Sequence, residues 1–474
     1  MQSRPCIITC FISLLALVCP GTAQNFGFNT VEPLLELRSE HRSELARNLR
    51  HGSVSFAALG YAQERTDSFL VNLLRDQASP QLRKVLDHPD SFRYQLIYTR
   101  IDRDKRNRPH FSNYYYRVNP LEYFNPASTV KMPLAFLALE KMNGLAGHGI
   151  DKYSPMLTDS AYSGQHPVYA DSSAAGGLPS LAQYIKKIFL VSDNDAYNRL
   201  YEFLGQEGLN RRLWEMGYPG IRITRRFVPM SEDENRVTNP IRFLARSGRP
   251  GEGEGTGKAA GRVAYAQPAA QSQLVFDFSR PVLIGQAHLD RNDSLVPSPM
   301  DFTRHNNIAL EDLRQILQSV LFPESVPAAR RFHLKADDYR FLYRYMSQYP
   351  SEESHPQYDT TEFFDSYTKF FLFKAGRTPI PSYIRVFNKP GWSYGFLTDV
   401  AYIVDFKNKV EFMLSGVIYV NRDGVLNDDK YEYEETGYPF FKEVGEIIYR
   451  HELGRKRTVA PDLGKFKMSY VRPE

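Results

Sequence analysis

The chemistry of this chain starts at residues 124–136, FNPASTVKMPLAF, where a hydroxyl and an amine stand three residues apart. On a helix, Ser128 and Lys131 would share one face about one turn apart. A lysine among apolar helical neighbours is costly unless it has a partner or a task. Burial lowers its pKa, and a neutral amine beside a hydroxyl can take the hydroxyl proton, which activates the serine as a nucleophile. Pro126 marks Ser128 as the opening of the helix, where an unpaired backbone N–H is free to contribute to an oxyanion hole. The spacing alone also fits a serine cap followed by a snorkelling lysine. Ser366 and Lys369, in DSYTKF, repeat it.

Two further stretches bear on the choice. LVSDNDAYN holds Ser192, Asp193 and Asn194 in a break between two helical stretches. All three residue types are common at helix N-caps. NKPGWSYG places Lys389 and Gly391 at the end of a strand, where a Pro-Gly turn would be unremarkable. Each stretch has an ordinary structural reading, but all three in this order are a rare coincidence. The set S-x-x-K, S-D-N, K-[TS]-G marks class A β-lactamases and penicillin-binding proteins. The chain resembles that superfamily, and class A most closely because S-D-N is present.

The resemblance implies a serine hydrolase that works through an acyl-enzyme on amide or ester substrates, most nearly a β-lactamase. Ser128 would be the acylated nucleophile and Lys131 its base or proton relay. Ser192 would pass a proton to the leaving nitrogen, and Asn194 would hold the substrate amide carbonyl. Lys389 would face a substrate carboxylate and support Ser192. Gly391, Trp392 and Ser393 continue this substrate-binding strand, and the N–H groups of Ser128 and Trp392 would form the oxyanion hole. The implied substrates are a small β-lactam or a peptidoglycan-type peptide, with no cofactor or metal and a monomeric protein.

Three departures qualify this. Pro390 stands where the family has Thr or Ser and offers no hydroxyl to a carboxylate, leaving Ser393 to compensate. The E-x-x-L-N string that carries the water-activating glutamate is absent. PMSEDENRVTNP (229–240) offers Glu232, Asp233 and Glu234 in about the right region, and Glu232 and Glu234 are the candidate deacylation bases. Ser192 and Lys389 are also further apart in sequence than in compact family members. A penicillin-binding relative with slow deacylation is therefore an alternative. So is an exported binding protein on this fold, which Pro390 favours and the intact Ser128, Lys131, Ser192 and Asn194 oppose.

The elements that must position these residues read as an α+β fold. Helical periodicity covers 30–90, followed by strands at 94–102 and 110–119. An apolar helix at 128–142 leads into a mostly helical block. Strands return at 383–391, 398–406 and 410–420, and a helix closes the chain at 441–453. The N- and C-terminal strands are expected to join in one antiparallel sheet flanked by N- and C-terminal helices. An all-helical lobe, about 126–375, stands beside it with a cleft between. The Gly/Ala/Gln-rich stretch 246–273 is expected to be a flexible insertion.

Composition narrows the rest. Arg4, an apolar stretch at 7–18 and the small residues Gly21 and Ala23 read as an export signal over residues 1–23. The mature domain would then be 24–474, periplasmic or secreted. Lipidation at Cys19 is the rival, weakened by Val18 where a small residue is wanted. The three cysteines, Cys6, Cys10 and Cys19, all lie in the signal, so cleavage after Ala23 removes thiol nucleophiles, disulfides and thiolate metal sites. The 11 histidines show no H-x-H or H-E-x-x-H spacing, which argues against a zinc hydrolase. The formal charge of +5 is spread along the chain, with no basic run suited to nucleic acid. No later stretch is apolar enough for a stable membrane span.

Overall fold

The computed structural model describes residues 64–160, 166–247 and 258–470. The expected export signal and the helical periodicity at 30–63 lie outside these residues. The centre of the fold is a five-stranded antiparallel sheet. Its strands are β1 (Gln95–Arg103), β2 (Pro109–Tyr116), β3 (Ile384–Ser393), β4 (Phe396–Asp405) and β5 (Val410–Tyr419), in the order β3-β4-β5-β1-β2. N- and C-terminal strands thus share one sheet, as their patterning requires. β4 and β5 are buried along their whole length. Side chains alternate between two cores. Leu96, Tyr98, Phe412 and Leu414 pack on one side, and Ile97, Ile101, Met413 and Val417 on the other.

The first side is covered by α1 (Ser68–Gln77), α2 (Pro80–Asp87) and, at the far end of the chain, α9 (Tyr438–Gly454). The second side carries α3 (Lys131–Gly144), α4 (Leu181–Val191), α5 (Asn194–Leu204), α6 (Gln206–Glu215), α7 (Leu310–Leu321) and α8 (Ala336–Ser347). α3 is buried almost all round, with ten buried residues including Lys131, so it is the central helix of this lobe.

The lobe is not all helical. Met156–Thr158, Ile241–Ser247 and Lys258–Gln267 form a small antiparallel sheet, and Ala287–Leu289 pairs with Leu295–Val296 and Val425–Leu426. The expectation of a flexible insertion at 246–273 is corrected by the same sheet. Residues 248–257 lie outside the described ones, but Lys258–Gln267 is a strand paired to Ile241–Ser247. Tyr265 gives that strand something to pack on, with ring contacts to His148 at 4.8 Å and Phe243 at 6.3 Å. Composition registered the small residues and missed the one anchor. Among the described residues, no helix is long and apolar enough to cross a membrane.

One segment without a strand partner depends on side chains for its hydrogen bonds. The amides of residues 223–227 are all accepted by asparagines. Asn210 takes Ile223, Asn306 takes Thr224 and Arg225, Asn235 takes Arg226 and Asn198 takes Phe227, at 2.8–3.1 Å. Buried amides must find acceptors, and here four buried side chains replace a neighbouring strand. Arg226 then locks the segment to α5. Its guanidinium bonds Glu202 at 2.6 Å and Val237 O at 2.6 Å, and the second Glu202 oxygen accepts the Asn239 amide at 2.6 Å. Both charged groups are about 1% exposed. Removing one member of such a pair strands the other in the interior. Glu202→Ala should therefore destabilise the fold by about 3–5 kcal/mol, read as a lowered urea midpoint.

Candidate active site

Ser128 lies in a 3-10 turn, Ala127–Val130, that runs directly into α3. Thr129 closes the turn, donating its hydroxyl to Pro126 O at 2.6 Å. Ser128 is half-buried where nearly all its neighbours are buried, and its side chain lines a cavity of about 930 Å³. Lys131, one turn on, points away from solvent and is fully buried. Its Nζ donates to Asn194 Oδ1 at 2.6 Å and to Ser192 O, and lies 3.4 Å from Ser192 Oγ. The Phe227 ring centroid stands 5.1 Å from it. Burial lowers the Lys131 amine to about 7, against a smaller upward pull from Asp193.

S-D-N occupies the joint between α4 and α5, and each residue has a separate task. Ser192 takes the left-handed conformation (φ 60°, ψ 35°) that ends α4. Asp193 caps α5, accepting the Ala196 amide at 2.7 Å. Asn194 is the first residue of α5 and turns its side chain to Lys131. The sharp reversal between the helices therefore projects Ser192 and Asn194 together into the cleft. The N-cap reading of this stretch holds for Asp193 and leaves its two neighbours free for other work.

Lys389 approaches from β3, the edge strand of the sheet. It is fully buried, and its Nζ donates to Ser192 Oγ at 2.8 Å and to Pro390 O at 2.7 Å. Burial first, and then the Lys131 charge, push its amine well below the ordinary lysine range. Pro390, which cannot donate to a ladder, is tolerated on an edge strand. Gly391 is forced by contact. A Cβ there would stand 2.7 Å from the Ser128 amide nitrogen and 2.9 Å from both Pro126 O and the Thr129 nitrogen. These are backbone atoms and cannot give way, so only glycine lets β3 lie against the Ser128 turn. Trp392 and Ser393 line the cavity beyond it, before the Tyr394-Gly395 hairpin turn, where both residues have positive φ.

The structure thus gathers Ser128, Lys131, Ser192, Asn194, Lys389, Gly391, Trp392 and Ser393 at one place. Two expectations meet a different geometry. Lys389 does not face the cavity but lies beneath it, turned onto Ser192. Glu232 and Glu234 do not line the cavity either. Glu232 pairs with Arg304 at 2.7 Å at the surface, and Glu234 closes a capping box on Ser231. Their local helix, Glu232–Arg236, uses its acidic residues to start itself. Among the described residues, no carboxylate is hydrogen-bonded to Lys131.

Sequence reasoning missed the cavity wall formed by residues 225–230. Arg225 and Phe227 line the cavity there, together with His305 from a loop below. No local motif marks these residues, and the amides of Arg225, Arg226 and Phe227 are held by the distant Asn306, Asn235 and Asn198. The spare Ser-x-x-Lys pair is elsewhere. Ser366 is buried and does not line the cavity, and Lys369 donates to Met346 O and Asn388 Oδ1, both at 2.8 Å.

Residues 94–255 match the model of the Beta-lactamase enzyme family. No curated protein matches the chain. Similar solved structures include a β-lactamase from Sphaerobacter thermophilus, at 14% identity over 79% of this chain and 97% of that one, with a TM-score of 0.41. A β-lactamase from Xanthomonas campestris is 14% identical over 80% and 98% of the two chains, also with a TM-score of 0.41. A reconstructed class A enzyme of the last common ancestor of Gram-negative bacteria is 15% identical over 79% and 99%, again at 0.41. The matched segment contains both Ser128–Lys131 and Ser192–Asn194, so the part of the chain that carries these two motifs is the part similar to that family.

Proposed function

We propose that this protein is an exported serine hydrolase that is acylated on Ser128 by β-lactams or related amides and esters and releases the acyl group slowly. The carrying observation is Ser192 Oγ, contacted by two buried lysines and lining the same cavity as Ser128. With Lys131 lowered to about 7, a large fraction of the amine is neutral near neutral pH. Neutral Lys131 takes the Ser128 hydroxyl proton as Oγ bonds to the substrate carbonyl carbon. As the tetrahedral intermediate collapses, the C–N bond breaks and the nitrogen receives a proton from Ser192 Oγ. Lys131 returns its acquired proton to Ser192, so the net transfer is from Ser128 to the leaving nitrogen.

Release requires water to add to the acyl carbon and a base to receive its proton. The neighbours of Lys131 favour the slow alternative over rapid β-lactam hydrolysis. They are an amide, a carbonyl, a hydroxyl and the Phe227 ring. A carboxylate in hydrogen-bond contact with the amine would supply that base, and Phe227 puts an apolar ring beside it instead. The alternative of a binding protein without catalysis fits this arrangement poorly, because it gives no use to a serine open to the cavity together with a second hydroxyl that two lysines contact.

Intact-protein mass spectrometry with a panel of β-lactams and activated esters tests both halves. Wild type should gain one acyl mass that persists for minutes or longer. Ser128→Ala should gain none, and Ser366→Ala should label normally. Labelling that survives Ser128→Ala would overturn the mechanism, and an adduct lost within seconds would make the protein a hydrolytic β-lactamase.

Acylation should also depend on pH through Lys131. The neutral amine is the active form, so the rate should climb as pH rises through about 7 and then level. Lys131→Arg keeps the charge but cannot release a proton, and it should slow acylation by roughly 10²–10⁴-fold. A wild-type profile that keeps rising toward pH 10 would mean that Lys131 is not the base.

A further inference from the structure

We infer that Arg225 is the anion-recognition residue of this cleft and that the preferred acyl donor carries a carboxylate on its acyl portion. The inference rests on the acyl-enzyme reading above and names the substrate class of that site. The strand side of the cleft is poorly equipped to hold a carboxylate. Pro390 offers no hydroxyl, and the Lys389 amine is buried and already occupied by Ser192 Oγ and Pro390 O. That side serves the leaving nitrogen through Ser192.

The cations that line the cavity are Arg225, Arg226 and Arg291. Arg226 is committed to Glu202, and Arg291 is exposed. Arg225 is half-buried and has no carboxylate partner among the described residues. Its side chain makes one hydrogen bond, from Nη1 to His305 Nε2 at 2.9 Å. A guanidinium has five N–H donors, so most of its capacity is free for a planar anion. Burial, together with the Arg225 charge, holds His305 at about 3, so the ring is neutral and accepts from Arg225 without adding charge. His305 is itself fixed against Phe302, with ring centroids 4.8 Å apart.

The arginine is also pre-positioned. Asn306 clamps its backbone from both sides, accepting the Arg225 amide at 3.1 Å and donating to its carbonyl at 3.4 Å. The Tyr197 hydroxyl donates to the same carbonyl at 2.9 Å. The clamped backbone and the His305 contact together limit the freedom that the side chain gives up on meeting its ligand. Among the described residues, the single carboxylate lining the cavity, Asp193, is occupied as the cap of α5. The wall is therefore electropositive, and Phe227 and Tyr394 add aromatic surface for the rest of the acyl group.

Benzylpenicillin and carbenicillin differ by one carboxylate on the acyl side chain and make the deciding pair. Acylation rates of wild type, Arg225→Gln and Arg225→Lys would be measured by intact mass, with melting curves to establish that each variant is folded. The preference of wild type for carbenicillin should fall about 10–100-fold in Arg225→Gln and less in Arg225→Lys. An unchanged preference overturns the inference. So does a change seen instead between benzylpenicillin and its methyl ester, which would assign Arg225 to the ring carboxylate. Calorimetric binding of the same pair to Ser128→Ala, with and without Arg225→Gln, separates the two claims. If wild type is never acylated, the acyl-enzyme reading fails. A carbenicillin preference in Ser128→Ala that disappears with Arg225→Gln still supports anion recognition, and its absence overturns it.

Discussion

Two buried lysines reach for one hydroxyl, and much of the fold follows from that constraint. Lys131 and Lys389 come from elements more than 250 residues apart in sequence, a helix of the lobe and the edge strand of the sheet, yet both contact Ser192 Oγ. Two ammonium groups cannot comfortably share a desolvated site, so at least one must be neutral. That demand is met only if the sheet and the lobe close tightly. Glycine at 391 permits the closure by letting β3 rest on the Ser128 turn. The left-handed Ser192 permits it from the other side by ending α4 in time to present the hydroxyl. A side chain at 391 or a continuous helix through 192 would separate the lysines and return them to water, where both would be ordinary cations.

The wall at residues 225–230 shows a different economy. Most buried backbone is satisfied by helix or sheet, which ties position to regular geometry. Along residues 223–227, which lead into this wall, Asn198, Asn210, Asn235 and Asn306 accept the amides, so the segment follows the shape of the cleft instead of the pitch of a strand. The alternation of side chains still resembles a strand. Arg226 turns inward to Glu202, while Arg225 and Phe227 face the cavity. The same wall puts the Phe227 ring beside Lys131. In the proposed acyl-enzyme reading, its composition bears on two things at once: which acyl group is held and how fast it leaves.

Legibility in the sequence followed physical range. The sheet strands, α3 and the closing helix were readable because their hydrophobic periods are local and long. Ser128, Lys131, the S-D-N joint and Lys389 were readable because each motif fits within a few residues, and their order carried the rest. The wall was not readable, because its pattern is a set of asparagines spread from 198 to 306 that means nothing until the chain is folded. Glu232 and Glu234 misled for the reverse reason. An acidic cluster near the right place in sequence is also what a short helix needs at its first turn, and the helix claims them. The 246–273 stretch misled through composition, since small residues conceal a strand anchored by Tyr265.

The duplicated S-x-x-K motif separates what identifies a nucleophile from what merely accompanies one. Lys131 and Lys369 are both fully buried, both engaged by asparagine, and both lowered to about 7 by burial. By proton affinity the two are equals. Their surroundings differ. Lys369 sits under β3 near Asp399, whose carboxylate is tied to Asn388 at 2.8 Å and to the Phe370 amide at 3.2 Å. Such a network braces the strand that carries Lys389. Ser366 is 2% exposed, so no substrate can reach it, whereas Ser128 opens onto the cavity. A lysine lowered by burial is therefore a poor marker for the proposed chemistry. In the proposed mechanism, access of the serine and a second hydroxyl that can carry its proton onward set the first pair apart from the second.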